Sequence, residues 1–137
     1  MIHSGLGDTK SVVKLLVHCL AVGVAGFFGA VARLLVGLVF GSWFPQFPVG
    51  TLVINVSGSF ILGWFYGYAA SRIGFSEIWR FAIGTGFVGA YTTFSTYMYE
   101  SDALMRQGAW LKASTNLIGS LVLGLLAVRM GAYMASK

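Results

Sequence analysis

Residues 49–70 read VGTLVINVSGSFILGWFYGYAA and contain no Asp, Glu, Lys, Arg or His at any position. An uncharged apolar stretch of about 18 residues or more is typical of a transmembrane helix. Arg72 follows the stretch, and Pro45 and Pro48 precede it. The segment therefore predicts a membrane-spanning helix with a loop on either side.

The composition of the whole chain extends this prediction to every other segment. The chain has 137 residues, of which 57% are hydrophobic and 9% charged, and its mean hydropathy is +0.80. A soluble domain has about a quarter of its residues charged. At about 20 residues per span, the chain has room for four spans and for no separate soluble domain. We predict an all-α membrane protein with one domain over residues 1–137 and spans at about 12–40, 49–70, 80–100 and 112–130.

The charged residues argue against a nucleic-acid partner. Nine Lys and Arg against four Asp and Glu give a net charge of +5, but the basic residues are scattered singly along the chain. Nucleic-acid binding requires basic residues clustered on one face. Cys19 is the one cysteine, so neither an internal disulfide nor a cysteine metal site is expected.

The first apolar stretch, 12–40, has an alternative interpretation as a signal peptide. Lys10 and Lys14 precede its apolar core, and Ala30-Val31-Ala32 resembles a cleavage site. Against this, the apolar character continues past Arg33 to Phe40, whereas a cleaved leader opens onto a polar mature chain. The continuity favours a first span, with Gly41 to Pro48 as the first loop.

Two polar stripes occur in the second and fourth predicted spans. Thr51, Asn55 and Ser59 recur at intervals of four residues, as do Asn116 and Ser120, so each set lies on one helix face. Hydroxyl and amide groups without a carboxylate can line a path for an anion. Hydrogen bonding between helices is the alternative interpretation.

Arg33 lies deep inside the first apolar stretch. Placing a charge at the centre of a membrane helix costs at least about 2.5–3.5 kcal/mol. The position therefore suggests an anion site or an aqueous vestibule, while snorkelling of the long side chain to the interface is the alternative.

The third predicted span contains a segment that is a poor helix former. Gly84, Gly86 and Gly89 precede the run YTTFSTY at 91–97, which is rich in β-branched, hydroxylic and aromatic residues. Irregular backbone within a membrane is tolerated only where protein, water or an ion satisfies its polar groups. A break there could be satisfied by a cation that the carbonyl groups bind.

The many glycines within the spans suggest close helix packing and association with another copy or a partner. Those expected to let helices approach closely are Gly23, Gly26, Gly29, Gly63 and Gly67.

The sequence resembles the Fluc (CrcB) family of bacterial fluoride channels. The matching stretches are Gly50-Thr-Leu-Val-Ile-Asn55 with Gly58, then Gly86-Phe-Val-Gly89 leading into Thr92-Thr-Phe-Ser-Thr96 with Glu100. An Arg late in the first span also matches, and the resemblance covers about residues 15–132.

This resemblance implies an ion channel, not an enzyme, in the cell inner membrane, where an antiparallel dimer passes fluoride passively out of the cytoplasm and reduces its toxicity. It implies a third span broken mid-membrane, with the carbonyls of Gly89 and Thr92 from both subunits binding a structural sodium ion. Arg33 would lie by a vestibule. The anion pore would include residues on three spans, namely Asn55, Phe94, Tyr97, Asn116 and Ser120.

One residue departs from the family pattern. Tyr97 stands where many members have a second pore phenylalanine. A tyrosine keeps the electropositive ring edge that can face an anion but adds a hydroxyl. The departure leaves the conduction rate open.

The distribution of basic residues leaves open whether the second subunit is a copy of this chain or a homologue. With four spans, both termini and the middle loop share one side, which carries Lys10, Lys14, Arg72, Arg80, Arg129 and Lys137. The other side carries Arg106 and Lys112. The positive-inside rule then favours one orientation, whereas an antiparallel homodimer requires both. A homodimer and a heterodimer with a second, oppositely oriented homologue are both compatible with this sequence.

Two other functions remain as alternatives. A small four-helix multidrug exporter needs a carboxylate within the membrane, and the first two predicted spans have none. A non-transporting scaffold subunit would explain the glycines but not the polar stripes.

Overall fold

The computed structural model describes residues 8–137, so residues 1–7 of the predicted domain lie outside the described part. All regular structure in it is helical, which confirms the all-α prediction for that part of the chain. The helices are α1 (Thr9–Trp43), α2 (Val49–Ala70), α3 (residues 77–91), α4 (Phe94–Arg106) and α5 (Trp110–Ala135).

Three helices, α1, α2 and α5, are long and apolar enough to cross a membrane. The third predicted span is instead formed by α3 and α4 in series, interrupted at Thr92 and Thr93. The described chain therefore contains four successive helical segments, namely α1, α2, the α3–α4 pair and α5, which is the number that the predicted four spans require.

Helix α1 is longer than the predicted first span and includes part of the predicted first loop. It begins after Asp8, whose carboxylate accepts a hydrogen bond from the N–H of Lys10 at 3.4 Å. It continues to Trp43 because the first residue that resists a helix is Pro45, which also disfavours helical geometry at Phe44. The first loop is correspondingly shortened to residues 44–48.

Helix α3 has an unusual backbone. A short α-helical turn, Glu77–Trp79, leads into a π-helical segment, Arg80–Val88, and then a second α-helical turn, Gly89–Tyr91. The N–H of Gly89 donates to the carbonyl of Gly84, five residues back, as in a π-helix. Such segments occur frequently at functional sites.

The helices pack as two close pairs, α2 with α5 and α1 with α3. A Cβ atom at Gly63 would meet the backbone of Val128 on α5, and one at Gly29 would meet the backbone of Phe87 on α3. Gly26 and Gly67 also face neighbouring helices, which confirms the packing prediction for these four glycines. Gly23 differs, because it lies on a face of α1 where no atom of a neighbouring element is within 4 Å.

An ion pair lies at the start of the α3–α4 unit, and a backbone cap lies at its end. Glu77 pairs with Lys14 of α1 at 2.5 Å, and the Lys14 ammonium holds the pKa of Glu77 below its ordinary value. At the other end, Gly108 adopts a positive φ of 73°. The N–H groups of Gly108 and Ala109 then cap the carbonyls of Met105 and Leu104, which ends α4 in a Schellman motif.

Helix α5 continues to Ala135, beyond the predicted end of the fourth span near residue 130. Many large apolar side chains of α1 and α5 are exposed, among them Leu20, Phe27, Leu121 and Leu125. An apolar surface of this extent suits contact with lipid or with another protein chain.

Candidate functional site

One side chain of α2 forms hydrogen bonds with the backbone at the interruption between α3 and α4. Thr92 and Thr93 are extended, with ψ angles of 160° and 118°. The N–H of Thr93 donates to Oδ1 of Asn55 at 2.8 Å, and Nδ2 of Asn55 donates to the carbonyl of Thr93 at 3.0 Å. Asn55 therefore supplies an acceptor to the Thr93 N–H, which the break leaves without a helical partner, and a further donor to the Thr93 carbonyl at the N-cap of α4.

A cavity of about 490 Å³, here called cavity A, lies beside the break. It brings together four of the five predicted pore residues, namely Asn55, Phe94, Tyr97 and Ser120, with Ser59 and Gly124 next to them. None of the described residues that line it is acidic. Phe94 is 74% exposed, so cavity A opens onto the surface of the protomer.

The two aromatic rings of cavity A are held edge to face. The ring centroids of Phe94 and Tyr97 are 6.0 Å apart with an interplanar angle of 62°. The hydroxyl of Tyr97 donates to the carbonyl of Leu117 on α5 at 2.7 Å. The added hydroxyl at this position thus ties α4 to α5.

The fifth predicted pore residue, Asn116, is 1% exposed and is not among the residues that line cavity A. Its Nδ2 donates to the hydroxyl of Ser101 on α4 at 2.9 Å, and its Oδ1 accepts from Ser120 at 3.5 Å. These contacts match the alternative interpretation of the fourth-span stripe, hydrogen bonding between helices.

A second cavity of about 470 Å³, cavity B, contains Arg33 of α1. Thr51 of α2 and Thr96 and Glu100 of α4 also line it. The stripe on α2 is therefore divided, because Thr51 faces cavity B while Asn55 and Ser59 face cavity A. Arg33 is half-buried, consistent with a position at a recess in the protein.

Glu100 in cavity B is a functional candidate that sequence reasoning left outside the site. Its Oε1 accepts a hydrogen bond from the hydroxyl of Thr51 at 2.9 Å, and its Oε2 is buried without a partner among the described residues. The i, i+4 spacing of Thr96 and Glu100 places both on one face of a helix and is the sequence signal for this pair.

The predicted sodium ligands lie at the break, since Gly89 is in the last turn of α3 and Thr92 is the first residue of the interruption. In a continuous α-helix the N–H of Thr93 would bond to the carbonyl of Gly89, but here it donates to Asn55. The carbonyl of Gly89 is thus not used by Thr93, and the carbonyl of Thr92 belongs to a residue that is itself extended. This backbone fits a cation that is bound by carbonyl groups.

Known proteins are similar to this chain over most of its length. The model of the family described as CrcB-like protein, Camphor Resistance (CrcB), matches residues 20–132. A fluoride-specific ion channel FluC of Chlorobium chlorochromatii is 44% identical over 86% of this chain and 92% of that protein. A fluoride-specific ion channel FluC of Campylobacter lari is 42% identical over 82% of this chain and 92% of that protein. A fluoride-specific ion channel FluC 1 of Geobacillus kaustophilus is 40% identical over 84% of this chain and 95% of that protein.

These relatives are named as ion channels, which confirms the expectation of a channel family and not an enzyme family. The matched region, residues 20–132, includes the break and every residue that lines cavity A or cavity B. The chain belongs to the CrcB (Fluc) family.

Proposed function

We propose that this protein is a fluoride-specific channel that passively exports fluoride from the cytoplasm and so reduces fluoride toxicity. The observation that carries the proposal is cavity A, where an amide, hydroxyls and aromatic ring edges converge beside a helix break without a carboxylate. The names of the relatives support fluoride as the ion.

The groups of cavity A suit a small, strongly hydrated anion. A pore must replace the hydration shell with close donors while binding weakly enough to release the ion. Ser59 and Ser120 supply hydroxyls, and Phe94 and Tyr97 supply ring edges, which carry partial positive charge. In the assembled dimer, a path narrow enough to contact fluoride on all sides would exclude larger halides.

Cavity B would serve as the vestibule. Arg33 raises the local concentration of anions there by its positive charge. The side chain of Glu100 is engaged by Thr51, which keeps one of its oxygens hydrogen-bonded near the path.

A structural sodium ion would be bound by the carbonyls of Gly89 and Thr92, two from each subunit. Such an ion supplies a fixed positive charge that offsets the cost of bringing an anion to the middle of the membrane. Asn55 contributes by accepting the Thr93 N–H, which keeps that group from competing for the Gly89 carbonyl. In this proposal the break lies at mid-membrane depth.

The proposed assembly is an antiparallel homodimer in the cell inner membrane. Cavity A is open on one side, and the exposed ring of Phe94 lies at that opening. A second copy would close the path there and complete the sodium site, whereas lipid would face the remaining apolar surface. A heterodimer with an oppositely oriented homologue would provide the same closure.

Flux from liposomes that contain the purified chain tests this function. We expect fluoride efflux that follows the electrical gradient, persists without a proton gradient and greatly exceeds chloride efflux. Equal chloride and fluoride flux would contradict a fluoride-specific channel. Flux driven only by a pH difference would indicate an exporter, and no flux of any ion a scaffold subunit.

A further inference from the structure

The loop between α2 and α3 has an exposed apolar residue at its tip. The loop comprises residues 71–76 and directly follows a helix that is long and apolar enough to cross a membrane. Ile73 has an exposed fraction of 108%, and Gly74 beside it turns the chain with a φ of 78°. A short loop at the end of a span lies near the membrane surface, where apolar side chains insert among the lipid headgroups. The tip of this loop is therefore suited to contact with lipid.

Two arginines flank an aromatic pair beside this tip. Cζ of Arg72 lies 4.4 Å from the ring centroid of Tyr68. Cζ of Arg80 lies 6.0 Å from the ring centroid of Phe75. The two rings are perpendicular, with their centroids 6.2 Å apart. An arginine over a ring face is held by the cation–π attraction and keeps N–H donors for a carboxylate or a phosphate.

The acidic residues of the chain do not neutralise these two arginines. The chain has four acidic residues, and all of them lie in the described part. Each has a contact elsewhere, namely Asp8 with Lys10, Glu77 with Lys14, Glu100 with Thr51 and Asp102 with Arg106. Arg80 also donates to the carbonyl of Ala69 at 3.4 Å, which uses one of its five N–H groups. Most donors of the two guanidinium groups are thus available to an external anion.

We propose that Arg72, Ile73 and Arg80 form a binding site for an anionic phospholipid of the surrounding membrane. The two guanidinium groups donate to the lipid phosphate in charge-assisted hydrogen bonds, and Ile73 contacts the apolar region below the headgroup. The exposed isoleucine favours a lipid over free phosphate. A lipid with a net negative charge is favoured over a zwitterionic one, because the arginines repel the ammonium group of the latter. The proposal does not depend on which ion the protein conducts.

Substitutions at the loop separate the charged part of the site from the apolar part. Arg72→Gln and Arg80→Gln each remove one charge, and the double variant removes both. Ile73→Ser removes the apolar contact. Arg106→Gln is the matched control for charge, because Arg106 lies at the opposite end of the α3–α4 unit. Leu111→Ser is the control for the apolar change, because Leu111 is exposed at the start of α5.

The experiment measures the dissociation constant of the first bound lipid by native mass spectrometry of the full chain in detergent. Phosphatidylglycerol is the anionic lipid, and phosphatidylcholine with the same acyl chains is the zwitterionic one. Inorganic phosphate is added as a competitor in a separate titration. The thermal midpoint and the oligomeric state of each variant are measured in the same detergent.

We expect the unmodified chain to bind phosphatidylglycerol at least about fivefold more tightly than phosphatidylcholine. Each single arginine variant should weaken phosphatidylglycerol binding about fivefold, and the double variant about thirtyfold. Ile73→Ser should weaken it about threefold or more, whereas Arg106→Gln and Leu111→Ser should leave it within about twofold.

Equal binding of the two lipids, or an equal loss in Arg72→Gln and Arg106→Gln, would overturn the proposal. Full displacement of the lipid by inorganic phosphate would indicate a simple anion site and would also overturn it. A changed oligomeric state in the folded double variant would do the same, since the arginines would then contact another protein chain. Arg72→Gln decides the outcome if loss of the Arg80 contact with Ala69 prevents folding. No measurement here involves fluoride flux, so the result is independent of the proposed channel function.

Discussion

Asn55 makes a structural contact and also lies at the proposed pore. It both accepts from and donates to the backbone of Thr93, and it lines cavity A. The hydrogen bonds match the interpretation of Asn55 as a link between elements, and its place in cavity A leaves the pore amide as a prediction.

Replacing Asn55 with Asp tests this combination. We expect Asn55→Asp to lower fluoride flux by about tenfold or more, because a negative charge would face the anion path and repel the ion. The change also removes the donor to the Thr93 carbonyl, with a stability loss of about 1–3 kcal/mol. Flux assays and thermal unfolding in detergent measure the two effects. Gln107→Glu, the same amide-to-acid change at the exposed end of α4, is the control.

The hydroxyl of Tyr97 forms a hydrogen bond within the protein. Because it donates to the carbonyl of Leu117, we expect Tyr97→Phe to keep fluoride flux within about threefold of the unmodified chain. The loss of one hydrogen bond should lower stability by about 1 kcal/mol. Tyr99→Phe, at an exposed position of α4, should change neither quantity. A large loss of flux in Tyr97→Phe alone would mean that the hydroxyl acts on the ion.

At the scale of elements, the break between α3 and α4 contains the proposed sodium site. Replacing sodium with a much larger monovalent cation should slow or stop fluoride flux, because the carbonyls before the break need a compact positive charge. Flux assays in sodium and in the larger cation measure this effect, with total ionic strength held constant. Unchanged flux, with no bound ion after thorough removal of sodium, would refute the proposed sodium site.

The contact between α2 and α5 depends on glycines at the points of closest approach. A Cβ atom at Gly131 would overlap the carbonyl of Phe60, whereas nothing lies within 4 Å of Gly119 on the same helix. Gly131→Ala should therefore lower the thermal midpoint. Gly119→Ala should leave it unchanged or raise it, since alanine is favoured over glycine in a helix by about 1 kcal/mol. Equal effects of the two substitutions would contradict this account of the α2–α5 contact.

At the scale of the whole molecule, orientation in the membrane decides between a homodimer and a heterodimer. The homodimer requires both orientations of one chain, whereas the basic residues favour one. We expect a cysteine introduced by Ser136→Cys, on a Cys19→Ala background, to be labelled from both sides of the membrane, with flux from the chain expressed alone. Labelling from one side only, without flux, would point to a missing partner chain.

The helical membrane architecture follows from the sequence because it depends on local properties. An uncharged stretch such as 49–70 must satisfy its backbone internally, and a helix does so without any partner. The predicted ends were less accurate, since α1 and α5 continue for several residues beyond them. Helix ends depend on the first residue that stops the helix, such as Pro45, more than on hydropathy.

The sequence by itself determined the family, four helical segments, and the residue types needed for an anion path. The tertiary structure alone decided which of these residues meet. In the structure Asn55 is hydrogen-bonded to the backbone of Thr93, and buried Asn116 is hydrogen-bonded to Ser101. Thr51 lines the same cavity as Arg33 and Glu100. A spacing of four residues indicates a shared helix face, but the element beside that face of α2 changes from α4 at Thr51 to α5 at Ser59. Neighbouring residues of one stripe therefore meet different partners, and only packing between helices can assign them.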